Sequence, residues 1–569
     1  MGVHRPHDLK RRWSVTIQTT MRTWIHILVL VLLSLVVIGF NLGGNSLHNG
    51  DEAKHAVVAR EAATQGNWVP LTYNGRPYFN KPPLRIWLTA LTFKVAGIDE
   101  WSVRLWSGIF GLGTVLALYL LGRRIWTDRV AFLSALILLT SHQYIYNHCV
   151  RTGETDSMLI FCWTCGLLLL QLAVQQQSRV LLFASATSIG LCGMVKHLGF
   201  VPIVLLIAVG YVLLADVWRT FPLKTWLTSL CVIAAVALPW HIVLWWKQGQ
   251  GFINAYFLGE VVEKRLQPKH KSQTWGSLKQ YVSLATMMRG FFPWSFLLPL
   301  ALGDLVGRKG FRRDWLMPTL WLLVAVVATL ISGRKYTWYI LPAFPAAAIL
   351  VARLLDRFLG ESRSRFVQFS VLLGGLAALT SLTSAATHNP FAVQAISKII
   401  SVEFLGRLRG PKTTLLVALV LLLVIVGSVG LAFALMRRIS NTATPRSIAR
   451  HLFFLAILGL AIHTVVVPLR FSSHRTGTHR MAIAAKNHLL EDEPLFVVLP
   501  ARIAWNPRLI FYLGTRDLRR LNVESLVQDD FSGRLVLTNR VNLRTTGIEA
   551  PIEFLSRQGE LVLIRWPES

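Results

Sequence analysis

The sequence predicts an all-α polytopic membrane protein of about thirteen transmembrane helices, with long extracytoplasmic loops and a small C-terminal α/β extracytoplasmic domain. Three observations carry this. Of 569 residues, 53% are apolar and 15% charged, at a mean hydropathy of +0.49; that balance excludes both an ordinary soluble domain and a disordered chain. The apolar residues gather into runs close to the 20 or so needed to cross hydrocarbon as a helix. After about residue 470 the pattern changes to a helix alternating with strand-like runs.

The first run extends from Thr23 to about Phe40. Residues 1–22 before it hold Arg5, Lys10, Arg11, Arg12 and Arg22 and read as a basic cytoplasmic N-terminus. No small-residue cleavage site follows Phe40, so the first span is expected to stay uncleaved. Further runs centre near Leu116, Leu138, Leu168, Ala186, Ile207, Ala235, Leu298, Val324, Ala347, Leu376, Val420 and Leu458, which makes residues 23–469 the transmembrane region. Alternate connections hold Arg123, Arg124, Arg129, Arg179, Arg219, Lys224, Arg308, Arg357 and Arg437, among others. The positive-inside rule makes these cytoplasmic. The net charge of +31 is thereby explained by topology, and no nucleic-acid partner is expected. The opposite set contains the two long connections, residues 43–102 and 247–284, and is extracytoplasmic. The tail, residues 470–569, falls on the same outer face. Its expected elements are a helix over Thr478–Leu490 and strands over Pro494–Leu499, Leu509–Leu513, Arg534–Thr538 and Glu560–Ile564. No repeat of fixed period is evident, which argues against an inverted-repeat transporter. Five cysteines, Cys149, Cys162, Cys165, Cys192 and Cys231, lie in or beside apolar segments and support neither a disulfide framework nor a zinc ribbon.

Chemistry-bearing residues concentrate on the outer face. Asn49-Gly50-Asp51-Glu52-Ala53-Lys54-His55 follows the first span and opens a helical pattern to Gln65. Asp51 there reads either as a helix cap or as a functional acid. Glu154 and Asp156, in Arg151-Thr-Gly-Glu-Thr-Asp-Ser157, open the fourth span and admit the same two readings. In a chain with only 28 acids, carboxylates at a membrane boundary carry weight. Brought to one cleft, two acids can deprotonate an acceptor hydroxyl or hold a divalent metal. In Tyr78-Phe-Asn80-Lys81-Pro82-Pro83-Leu-Arg85-Ile-Trp87, the prolines are expected to hold the chain extended and aim Lys81, which suits a phosphate. Lys196, among Val195, His197 and Leu198, either snorkels to the interface or meets an anion. Lys264 and Arg265, and Arg334 and Lys335 ahead of Tyr336 and Tyr339, repeat the theme. Each alone reads equally as a solvated interfacial cation. Together they point to an anionic, phosphorylated ligand at the outer boundary. The 20 tryptophans are accounted for by aromatic belts. His270 reads as a loop histidine or an isolated metal ligand, since no second imidazole lies at ligand spacing.

These residues resemble a known family. Asp51-Glu52-Ala53, Ala59-Arg60-Glu61, Asn74-Gly75-Arg76 and Lys81-Pro82-Pro83-Leu84 look like the first extracytoplasmic loop of polyprenyl-phosphate-sugar-dependent glycosyltransferases, the lipid A aminoarabinose transferase and protein O-mannosyltransferase group of the C-type superfamily. The Asp156 segment, Lys196, Pro239-Trp240, Pro293-Trp294 and Tyr339-Ile-Leu-Pro342-Ala-Phe-Pro345 follow in the expected order. The resemblance covers roughly residues 20–350, and the expected spans and outer tail are similar to the aminoarabinose transferase.

The resemblance implies a multi-pass protein of the bacterial inner membrane with a cytoplasmic N-terminus and an extracytoplasmic C-terminus. It implies transfer of a sugar from an undecaprenyl-phosphate-like donor to a lipid A-like lipid or glycan, or, in a second reading, to protein Ser/Thr. Asp51 and Asp156 would be the acidic pair, and Lys81, Arg265, Tyr339 and Lys196 would face the donor phosphate, with Glu52, Lys54, Arg85, Glu154 and Lys335 in support. A rival from another class is a flippase of lipid-linked oligosaccharides, which should carry its ionisable residues near mid-membrane rather than at one boundary. Two departures concern a metal. The family usually has a glutamate before Lys-Pro-Pro and a histidine in the second long loop, both tied to a metal in the aminoarabinose transferase. This chain has Asn80 at the first position, and the Gly259-Glu260-Val261-Val262 region lacks the histidine. Glu260 and His270 are the substitutes at hand, and weak metal dependence is expected.

Overall fold

The computed structural model describes residues 6–263, 290–306, 313–332 and 336–360, with shorter stretches between 454 and 566. Its helices are α1 (Pro6–Ser34), α2 (Asp51–Gln65), α3 (Leu84–Ala96), α4 (Glu100–Ile125), α5 (Asp128–Leu139), α6 (His142–Tyr146), α7 (Asp156–Gln176), α8 (Arg179–Val195), α9 (Phe200–Leu214), α10 (Leu223–Ala237), α11 (Pro239–Phe252), α12 (Leu298–Val306), α13 (Leu316–Ile331), α14 (Phe344–Leu359), α15 (Gly477–His488) and α16 (Pro507–Leu513).

Among the described residues, five helical stretches are long and apolar enough to cross a membrane: Thr20–Gly39, Glu100–Ile125, Asp156–Gln176, Arg313–Ile331 and Thr337–Leu359. A sixth forms if α10 and the helix after it, bent by 47° at the Pro239 break, count as one span. Helices α8, α9 and Trp294–Leu305 are shorter. The run near Leu138 differs from expectation. Helix α5 has only 12 residues, and Thr140 and Ser141 end it with hydroxyls turned back onto the Leu136 and Ile137 carbonyls. The spans expected near Leu376 and Val420 lie outside the described residues, and near Leu458 only a few residues are described.

Starts are capped where the side chains permit: Asp99 accepts from Ser102 N at 2.6 Å, Thr127 from Val130 N and Ser178 from Leu181 N. The spans pack through one apolar cluster that includes Leu118, Leu138, Trp163, Ile189, Val204, Trp321 and Leu350. Lipid tails are as apolar as these side chains, so close approach at small residues carries the packing. A Cβ on Gly111 would sit 2.2 Å from Val150 Cγ1, and one on Gly190 would sit 2.9 Å from the Ile233 carbonyl.

Ion pairs and ring contacts sort the helix ends into two groups. Arg22 and Arg123 reach Asp128, Arg129 reaches Asp356, and Trp126 stacks on Trp315. The ends of α4, α13 and α14 that adjoin the basic connections therefore share one end of the bundle. Asp51, Glu154, Lys196 and Tyr339 line one cavity and mark another group.

The first long connection is built, not loose. Strands β1 (Thr72–Tyr73) and β2 (Arg76–Pro77) form a hairpin whose turn residues Asn74 and Gly75 have φ of 55° and 72°, as a type I′ turn demands. Glu61 of α2 fastens it, accepting from Thr72 Oγ1 and Asn74 N at 2.6 Å each. In the tail, strands β3 (Leu495–Val497), β4 (Leu518–Arg520), β5 (Leu535–Asn539), β6 (Glu553–Gln558) and β7 (Leu561–Arg565) form one sheet in the order β4-β3-β5-β7-β6. Strand β3 runs parallel to β4 and β5, and the rest is antiparallel. Residues Leu509–Leu513, expected as a strand, are helical. The reason is two-sided burial: Leu509 and Leu513, one turn apart, pack in the sheet's core, while Ile510 and Phe511 pack against the first connection. A strand's period of two cannot present those pairs to two partners.

Candidate active site

Gly50, immediately before α2, has φ 127° and takes a turn that a side chain would strain. Asp51 is the first residue of α2, after the N-cap Gly50, and Asp156 the first residue of α7, after the N-cap Thr155. Helix N-termini favour ionised carboxylates. Both line one polar cavity of about 290 Å³. Of the other sequence candidates, Lys54, Lys81, Glu154, Lys196 and Tyr339 line it too, joined by Asn80, His148, His197, Tyr336 and Trp338.

Each of the two acids carries a lysine. Lys81 Nζ lies 3.6 Å from Asp51 Oδ2, and Lys196 Nζ lies 2.7 Å from Asp156 Oδ1. Lys196 also sits 5.7 Å from the centre of the Tyr339 ring, a cation–π distance. Pro83 already has helical dihedrals, φ −85° and ψ −22°, so the proline pair opens α3 instead of continuing an extended strand, and Lys81 leaves from that start. Lys54 reaches over the Tyr73 ring at 5.9 Å. One cavity wall is a stack of rings: His148 on Trp338 at 3.7 Å between centroids, and Trp338 on Tyr336 at 4.6 Å.

Behind the cavity lies a buried polar frame. Glu52 is fully buried, and its carboxylate accepts from Arg104 Nε at 2.7 Å, Gly153 N at 2.7 Å, Arg104 Nη2 at 3.3 Å and His48 N. Arg104 spends its remaining donors on the carbonyls of Leu42, Asn45 and Ser46. Arg151 holds the carbonyls of Val37 and Ile38 at the end of the first span. Arg85 is 1% exposed and donates to Thr89, the Val103 carbonyl and Ser107. Glu52 and Arg85 thus brace the wall and do not open into the cavity. Sequence reasoning missed Arg104, Arg151 and Gly153. The signal for Arg104 was present: a lone arginine one turn into an apolar span needs a buried partner.

The charges settle differently across the cluster. Burial opposes ionisation of Asp51, but Lys81 foremost among the nearby positive charges holds its carboxyl well below the usual range. Burial also opposes ionisation of Glu52, and Arg104 overrides it, setting the carboxyl at about 2. Glu154 goes the other way: burial first, then Asp51 and Asp156, push it well above an ordinary carboxyl. Burial lowers His55 to about 3, so its imidazole is neutral. The cavity therefore offers the Asp51 carboxylate, which can take a proton from a hydroxyl, further carboxyl groups beside it, and two lysines that can meet a phosphate.

Arg265, Lys335 and His270 lie outside the described residues, as does the side chain of Glu260. At the position where the family carries a metal-binding glutamate, Asn80 presents a neutral amide, which does not fit that donor set.

Residues 80–246 match the family described as dolichyl-phosphate-mannose-protein mannosyltransferase. The chain is 29% identical over 350 residues to the undecaprenyl phosphate-alpha-4-amino-4-deoxy-L-arabinose arabinosyl transferase of Pseudomonas savastanoi pv. phaseolicola, covering 60% of this chain and 63% of that protein. It is 28% identical over 370 residues to the protein of the same name from Pseudomonas aeruginosa strain LESB58, covering 62% and 65%. The chain thus matches a little under two thirds of the length of these relatives. Among solved structures, ArnT from Cupriavidus metallidurans bound to undecaprenyl phosphate superposes with a TM-score of 0.68 at 20% identity, over 95% of this chain and 97% of that one. By sequence this chain is similar to the mannosyltransferase family over residues 80–246 and to the arabinosyl transferases over about 60% of its length, and by fold it is similar to ArnT over 95% of its length.

Proposed function

We propose that this protein is an integral-membrane glycosyltransferase that moves a sugar from a polyprenyl-phosphate donor onto a hydroxyl of a lipid A-like lipid or a glycan at the extracytoplasmic face. The observation that carries the reading is the pairing of each helix-starting acid with a lysine inside one polar cavity, Asp51 with Lys81 and Asp156 with Lys196. Asp51 takes the proton of the attacking hydroxyl, whose oxygen bonds the sugar's anomeric carbon as the sugar–phosphate bond breaks, and Lys81 and Lys196 meet the charge left on the departing polyprenyl phosphate. Arg265 and Tyr339 complete the phosphate site in this reading. In this reading the N-terminus is cytoplasmic and the tail extracytoplasmic, in a bacterial inner membrane, which the basic connections support. The flippase alternative is disfavoured because Asp51, Glu154 and Lys196 lie at helix ends, not at mid-helix. A protein Ser/Thr acceptor is the second reading, favoured by the mannosyltransferase match over residues 80–246.

Asp51→Asn is the test, with purified protein, undecaprenyl-phosphate-linked sugar and envelope lipid, glycan or peptide acceptors, read by product mass. Asparagine keeps the shape and capping ability of aspartate but cannot take the proton, so folding should be kept and transfer lost. Full transfer by a well-folded Asp51→Asn protein refutes the assignment, and a product on peptide alone selects the second reading.

A further inference from the structure

We propose that the gap between α9 and α10 binds one anionic phospholipid, its acyl chains filling an apolar cavity of about 710 Å³ and its phosphate meeting Arg219. Consecutive helices are usually neighbours in space, but these two share α8 as a support instead of packing along each other, and α9 leans on α13 as well. The space left between them is floored by Leu170 of α7 and by Leu182, Ala186 and Ile189 of α8. These residues lie away from Asp156, which begins α7, and from Lys196, which follows α8. The cavity is therefore separate from the polar one and sits towards the opposite end of the bundle. That end is cytoplasmic by the topology proposed above, and only the choice of leaflet rests on that reading.

The lining selects hydrocarbon. Its buried serines and Trp226 are already satisfied within the protein: Ser185 Oγ donates to the Gly166 carbonyl at 2.6 Å, Ser229 Oγ to the Thr225 carbonyl at 2.9 Å and Trp226 Nε1 to the Trp218 carbonyl at 2.8 Å. None of these calls for water or a polar ligand. The rims are apolar and open, since Val209 and Leu213 on α9 and Leu223 and Leu230 on α10 are exposed. An acyl chain entering from the bilayer gains contacts with four helices that an empty gap forfeits. The volume falls within the roughly 300–1,000 Å³ of ligand cavities.

The mouth selects an anion. Arg219 comes from the short turn Trp218–Thr220, with its guanidinium 4.7 Å from the centre of the Trp218 ring. It is exposed and, among the described residues, has no carboxylate in ion-pair reach. Arg179 begins α8 and Lys224 is the second residue of α10, against the single acid Asp216 in these two connections. Helix α10 opens after Pro222, which has no side chain to cap its N–H groups, and such an end also favours negative charge. Basic residues beside a gap between spans at the cytoplasmic boundary suit an anionic headgroup, and a guanidinium can hold its phosphate by two hydrogen bonds. An apolar gap with an unpaired cation at its mouth matches the two halves of one amphipathic ligand.

The experiment uses full-length protein in detergent, washed free of lipid and given dioleoylphosphatidylglycerol or dioleoylphosphatidylcholine. Wild type should retain one phosphatidylglycerol per chain in native mass spectra, and that lipid should raise the melting temperature, as a ligand bound only by the folded state does. Arg219→Gln, a change at the surface, should bind phosphatidylglycerol roughly fivefold more weakly, the worth of one cation beside an anionic membrane, with phosphatidylcholine unaffected. Val209→Trp combined with Leu230→Trp, which fills the gap from both helices, should lose both lipids. Equal retention of the two lipids by wild type, an undiminished preference in Arg219→Gln, or undiminished retention in a folded double variant overturns the proposal. Displacement of phosphatidylglycerol by equimolar undecaprenyl phosphate also overturns it, since the gap would then hold a polyprenyl tail. Should the double variant fail to fold, Arg219→Gln decides alone. Retention is read without donor or acceptor, so the result is independent of whether the chain transfers a sugar.

Discussion

Replacing Glu52 by Gln changes no shape and removes one charge, yet the structure predicts a large effect. Each carboxylate oxygen takes two donors: Oε1 from Arg104 Nε and Gly153 N, Oε2 from Arg104 Nη2 and His48 N. Glutamine has one acceptor oxygen, and whichever way the amide is turned its NH2 confronts two donors. The lost charge leaves Arg104, 2% exposed, without its counter-ion, and breaking a buried pair from one side costs about 3–5 kcal/mol. Titration leads to a similar figure. Moving the carboxyl from its ordinary 4.5 to about 2 corresponds to roughly 3 kcal/mol of stability. The sign follows from the depressed value: the contribution is complete above about pH 5 and is lost as pH falls towards 2. The assay is denaturant-induced unfolding in detergent at pH 7 and at stepwise lower pH, wild type against Glu52→Gln. The difference should be about 3–5 kcal/mol at pH 7 and shrink as acid protonates Glu52. A cost below about 1 kcal/mol, the worth of an exposed pair, or a difference independent of pH, would refute the argument. Replacing both Glu52 and Arg104 by leucine and methionine should cost less than either single change, because no buried charge is then left alone.

Other outcomes follow from the same frame. Gly153→Ala places a Cβ 2.4 Å from Val103 Cγ1 and 3.0 Å from Glu52 Cγ; a loss of about 1–3 kcal/mol in the same unfolding assay is expected, with transfer falling as Glu154 moves. Arg60 Nη1 donates to the carbonyls of Ile510 and Phe511 at 3.1 and 2.8 Å, tying the tail to α2. Arg60→Ala should therefore speed limited proteolysis between α15 and β7 while leaving the spans protected, and an unchanged digestion pattern would show that the apolar contacts suffice.

The membrane-spanning character, the division into basic and chemically rich connections, and the residues of the cavity were legible in the chain because each depends on local features: run length, charge alternation and residue type at a span boundary. Asp51, Lys81, Glu154, Asp156 and Lys196 could be named that way, since a charge beside hydrocarbon stands out against its neighbours, and Tyr339 through the family resemblance. Their partners could not. That Lys81 faces Asp51 and Lys196 faces Asp156 depends on how α2, α3, α7 and α8 cross, which periodicity does not encode. The division of Glu52, Glu154 and Asp156 into an arginine-paired framework acid, an acid whose titration burial pushes up and a lysine-paired acid depends on which cation each meets; adjacent acids of like composition were indistinguishable until Arg104 and Lys196 took their places. The helix at Leu509–Leu513 makes the same point for secondary structure. Five residues rich in apolar side chains suit either element, and burial against a sheet on one side and α2 on the other chose the period that serves both.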